Sequence, residues 1–152
     1  MSIAVTLHLL AAVIWVGGMF FAHQMLRPVA ADLLEPPLRQ PLWVGVFGRF
    51  FPWVWVAVIT IPLTGYWMLF QVFGGMGNVG LYVHIMHALG LVMIAIYLYV
   101  YFAPYQGLKR AVAAQIWPEG KQHIDRIRDL VGINTILGLI TIAVAAGGRY
   151  IH

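Results

Sequence analysis

Between Gly80 and Phe102 the chain reads GLYVHIMHALGLVMIAIYLYVYF, without one Asp, Glu, Lys or Arg. Such a run is a bilayer-crossing helix. Roughly 20 apolar residues span the hydrocarbon layer, and a helix there satisfies its own backbone. His84 and His87 lie in its first turns. Three residues apart, they fall about 60° from each other on one helix face. Lipid offers an imidazole no partner, so ionisable side chains inside a span mark candidate functional positions.

Three further apolar runs complete the pattern, with spans expected at 2–26, 52–73, 80–102 and 130–146. The predicted fold class is therefore all-α: a polytopic, four-transmembrane-helix bundle forming a single domain over 1–152. With 62% hydrophobic and 9% charged residues, an ordinary soluble domain is excluded. The chain has no cysteine, which excludes disulfides, thiolate zinc, iron–sulfur clusters and thioether-linked haem. Any metal must be held by His, Met, carboxylate or backbone oxygen.

The connections set the expected topology. Arg27 and Pro28 are expected to end the first span. Pro28, Pro36, Pro37 and Pro41 predict a connector that is not a straight helix, with Trp43, Phe47 and Phe50 lying along the interface. Pro62 predicts a kink in the second span. The short GGMGNVG turn makes the second and third spans adjacent and antiparallel. Within the polar stretch 104–129, KQHIDRIRDLVGIN has helical spacing and prolongs the fourth helix. Asn134, Gly138 and Thr141 share one face of that helix, and Tyr97, Tyr99 and Tyr101 suit an interfacial belt. Every Lys and Arg except Arg149 follows the first or third span. By the positive-inside rule both connections are cytoplasmic, which predicts a bacterial inner-membrane protein with both termini periplasmic. The net charge of +4 reflects this topology and not nucleic-acid binding.

Depth then brings the histidines together. His8 lies about 10 Å into the first helix, and His87 lies level with it on the third, with His84 one turn shallower. Facing imidazoles on two helices suit a haem b with His8 as one axial ligand and His87 or His84 as the other. Bis-imidazole ligation leaves iron no open position and favours one-electron transfer. The alternative is a copper ion held by His8, His84 and His87, with Met86 or Met93 as a soft ligand. On an ideal helix Met86 lies about 100° from His87 and faces elsewhere, and GGMGNVG is too short to form much of a metal entry. A third possibility is that the histidines serve only as interhelical hydrogen-bonding groups. His23 has no histidine at its level on the third or fourth helix, which argues against a second haem. His123 and His152 are expected to be solvated, and Arg49 and Arg128 to pair with carboxylates or lipid phosphate.

The stretches LHLLAAVIWVGGMFF, TGYWML, LYVHIMHALGLVMIAIYLY and RIRDLVGINTILGLITIAVA resemble the copper-resistance D (CopD) family. They also resemble its distant relative, the HemJ-type protoporphyrinogen oxidase. The resemblance implies a four-helix bundle in the bacterial inner membrane. From the HemJ-type enzymes it implies haem or porphyrin bound through a first-helix histidine, matched by His8, and a third-helix histidine, matched by His84. That pattern has a lysine where this chain has Met86 and His87, and a glutamate after its asparagine where Thr135 follows Asn134. The missing ionisable groups favour binding and electron transfer over acid–base chemistry. The copper family implies copper import or periplasmic copper handling.

The expected protein is thus a redox or metal-binding membrane protein more than a stand-alone enzyme. It carries haem b, with copper as the alternative cofactor. Its expected partners are the lipid bilayer and a quinol, a periplasmic redox protein or a larger respiratory assembly, with homo-oligomers allowed by Gly17, Gly18 and Gly138. A HemJ-like oxidase and an accessory respiratory subunit are the remaining readings.

Overall fold

Four rods form the protein. In the computed structural model, which describes residues 1–151, they cover 2–33, 36–71, 81–113 and 117–150. His152 lies outside the described residues. The first rod is α1 (Ser2–Phe21), a π-helical segment (Ala22–Leu26) and α2 (Arg27–Leu33), joined without a break. The second is α3 (Pro36–Gln71). The third is α4 (Leu81–Phe102) followed by α5 (Pro104–Ala113), and the fourth is α6 (Trp117–Gly147) with a closing 3-10 turn. All four are long and apolar enough to cross a membrane, and side chains such as Ile3, Leu63 and Leu81 face outward as lipid-facing residues do. This is an all-helical, multi-pass membrane protein.

The proline-rich stretch is helical, contrary to the sequence expectation. Pro28 does not end the first rod. It lies inside the continuous rod, just after the π-helical segment, where the Arg27 side chain donates from Nε to the His23 carbonyl at 3.1 Å. Pro36 opens α3, where a missing N–H has no partner to lose, and Pro41, Pro52 and Pro62 lie inside that one continuous helix. Trp43 and Phe47 are therefore core residues and not interfacial anchors. At ~1.5 Å per residue, α3 is about 54 Å long and outruns a hydrocarbon layer of about 30 Å. The basic connections are likewise mostly helix, in α2, the start of α3, α5 and the start of α6.

At this basic end, α5 packs against α6 and buries Tyr105, Leu108 and Ala111. Gln40 of α3 is 1% exposed, and its Nε2 donates to the Trp117 carbonyl at 2.8 Å. Its other amide atom lies against Gly120, where no Cβ could fit. This side chain ties the start of α6 to α3.

The mid-bundle core is aromatic. Phe47 and Phe51 stack in parallel at 5.0 Å, and Tyr105 meets Phe51 edge-on at 4.8 Å. Tyr97 is buried and donates to the Phe51 carbonyl at 3.2 Å. Of the three tyrosines expected at the interface, Tyr99 is the exposed one, with Arg126 over its ring at 5.9 Å. Tyr97→Phe should lower stability by about 0.5–1.5 kcal/mol, the usual net value of one hydrogen bond. Thermal unfolding in detergent measures it, and an unchanged midpoint would show that this bond carries nothing.

Close backbone packing pairs α1 with α3 and α4 with α6. Between α3 and α4, large side chains make the contact, as where Trp55 meets Tyr97 at 5.3 Å. Toward the end that carries the 72–80 turn, this spacing leaves room inside the bundle.

Candidate functional site

His8 is placed by α1 so that its ring meets α3 across the bundle. Its Nδ1 lies 2.9 Å from the Thr64 hydroxyl. That hydroxyl donates its single proton within α3, to the Thr60 carbonyl at 2.6 Å, with the Ile61 carbonyl at 3.2 Å. Its oxygen therefore accepts from His8, and the imidazole proton sits on Nδ1. Nε2 keeps its lone pair. Gly65 lies beside the ring, where a Cβ would stand 3.4 Å from His8 Cε1, at ordinary contact distance.

His87 comes from α4 and meets the same helix two residues further on. Its Nε2 is 2.6 Å from the Tyr66 hydroxyl, with the rings 5.6 Å apart and steeply inclined at 75°. Thr64 and Tyr66 thus each hold one histidine.

Both histidines line one cavity of about 180 Å³ enclosed by α1, α3, α4 and α6. Three methionines, Met76, Met86 and Met93, share its wall. Two of these differ from the sequence expectation. Met86 was placed off the face of His87, but the cavity is wide enough to touch both. Met76, in the turn judged too short to contribute, closes the cavity from the side. Gly90 has open space where a side chain would stand. Asn134, Gly138 and Thr141 do share a face, and all three meet α4 at Met93. The Asn134 amide donates to the Met93 carbonyl at 3.2 Å, and the Thr141 hydroxyl stands 3.9 Å from the Met93 sulfur.

His84 is outside this wall and exposed. Among the described residues, no three His, Asp or Glu side chains converge as a metal site. The structure thus joins His8 to His87 and does not form the expected trio with His84. His23 lies in the π-helical segment, where its Nδ1 is 3.0 Å from Gln24 Nε2. His123, expected in solvent, is half-buried against Gly107, and Glu119 lies 4.0 Å away. Arg128 pairs with Asp125 and Asp129, whereas Arg49 reaches only the Gly45 carbonyl.

Thr64, Tyr66 and Met76 are the site residues missed by sequence reasoning. The available signal was two hydroxyls flanking Gly65 just after Pro62, inside an otherwise apolar span.

No curated protein and no solved structure matches the chain. The family model described as copper resistance protein D matches residues 44–147. The matched stretch holds Thr64, Tyr66, Met76, Met86, His87 and Met93, and His8 precedes it. A match over most of the length places the chain in a family: it belongs to the copper resistance protein D family.

Proposed function

We propose that this protein handles copper in the bacterial inner membrane, taking Cu(I) between His8 and His87. The supporting observation is the donor set of one cavity: two imidazoles and three thioethers, with no carboxylate among the described residues. Soft thioether and imidazole ligands select Cu(I) over harder ions. The Thr64 hydroxyl adds to this by holding the His8 proton on Nδ1, which leaves Nε2 free to ligate. Every Lys and Arg except Arg149 lies toward the opposite end, and the positive-inside rule then favours a periplasmic side for the cavity. Copper here is cargo, bound and passed on.

A haem b reading has one observation in its favour, the two imidazoles from separate helices at one cavity. The space argues against it. About 180 Å³ falls short of the roughly 300–1,000 Å³ of small-molecule sites, and Tyr66 already occupies His87 Nε2. No electron-transfer step is therefore derived through a haem.

One preparation tests both. Detergent-purified protein should bind Cu(I) in competition with a chromophoric chelator and show no Soret band when expressed with ample haem. A Soret band that sharpens on dithionite reduction, with no Cu(I) bound, would replace the copper reading with the cytochrome one.

A further inference from the structure

The copper reading of the His8–His87 cavity is the starting point here. We infer that the ion leaves that cavity through the bundle, along one face of the first helix, past Met19 and Asn134 to His23. Three cavities lie in file. Behind the first is a second of about 20 Å³, walled by Met19 and Asn134. Behind that is a third of about 40 Å³, walled by His23, Arg27 and Arg128. Trp15 forms a wall of both the first and the second, and Ala22 and Phe47 of both the second and the third.

One stripe of the first helix runs the length of the file. His8, Ala12, Trp15, Met19 and His23 follow each other at steps of three or four, the spacing that keeps side chains on one helix face. Three of these five are ligand types for a soft cation, and they are spread from one end of the bundle to the other.

Asn134 supplies the decisive detail. It is 3% exposed, its amide nitrogen is fixed on the Met93 carbonyl, and its Oδ1 is buried with no hydrogen-bond partner. An unpartnered oxygen lining the same cavity as a thioether, inside a membrane bundle, is a polar group able to take a cation. Asp and Glu are missing from the walls of all three cavities, so nothing there would hold a cation permanently. Conduction needs such weak, successive sites. At the far end the Arg27 guanidinium opposes retention of the ion, and Arg128 is held by Asp125 and Asp129.

Trp15 closes the path between the first and second cavities. It is buried and packs edge-on to Tyr97 at 6.3 Å, so its indole must swing aside for an ion to pass. The π-helical segment begins two turns beyond it. Such widened turns interrupt the regular ladder and are frequent at functional sites.

The test is uptake by proteoliposomes with a chromogenic Cu(I) chelator trapped inside and ascorbate-reduced copper outside. Equilibrium Cu(I) binding is measured in parallel. Met19→Leu conserves volume and lies outside the first cavity; Asn134→Leu removes the bare oxygen. Met19→Leu should bind Cu(I) within about twofold of the unmodified protein, and both variants should take it up about tenfold more slowly, a barrier rise of one decade in rate. Unchanged uptake in Met19→Leu overturns the path even if Asn134→Leu does not fold. Binding without uptake in the unmodified protein also overturns it, and leaves the cavity assignment standing. Failure of the unmodified protein to bind Cu(I) removes that assignment, and the path with it.

Discussion

His8→Ala should lower Cu(I) affinity about 100-fold and Thr64→Val about 10-fold, the range by which ligand-orienting groups act at metal sites. The two effects have different origins. His8→Ala deletes the donor atom. Thr64→Val keeps the imidazole and removes the oxygen that accepts its Nδ1 proton. The proton is then free to move to Nε2, where it blocks the lone pair. Thr64→Ser keeps the hydroxyl and should restore binding, which separates tautomer control from simple packing. His84→Ala should leave affinity unchanged, because that side chain is exposed and outside the cavity. Chelator competition reads all four proteins. Loss in His84→Ala with none in His8→Ala would refute the assignment.

Gly120→Ala should destabilise the folded bundle by about 2–3 kcal/mol, at the upper end of what overpacking costs. Its added Cβ would overlap the Gln40 amide. Gln40 is fully enclosed and held by its bond to the Trp117 carbonyl, so it cannot swing into solvent. Yielding would mean giving up that hydrogen bond or moving the start of α6. Gln40→Ala removes the obstacle at the cost of the bond. The Gly120→Ala/Gln40→Ala pair should therefore be more stable than the sum of the single losses implies, a coupling visible in a double-mutant cycle. Thermal unfolding of the detergent-solubilised proteins measures it, and strict additivity would show that the two residues do not meet.

The spans were legible because nothing else explains long stretches free of charge. The prolines of the connector misled. Pro36 sits in a first turn, where a missing N–H costs nothing, and Pro28 and Pro41 are carried inside rods whose neighbours hold them, as Pro62 is within its span. Local sequence shows the broken hydrogen bond and not the packing that outweighs it. At the site, matched depth linked His8 to His87, and both line one cavity. The choice between His84 and His87 was not legible, because about 60° of separation on a helix leaves either one free to face inward. Only the position of α3, with Tyr66 beside His87, settles which ring meets the cavity. Met76 was illegible for a different reason. A turn has no periodicity from which to read direction.

The uncharged turn at 72–80 has a bearing on how the protein is made. A hairpin tip without Lys, Arg, Asp or Glu crosses the hydrocarbon layer with no ion to dehydrate, so α3 and α4 can enter the bilayer as one unit. The contact between Tyr66 and His87 lies within that hairpin. That contact needs only the hairpin, so it can form before α6 brings Gly138 and Thr141 to the cavity.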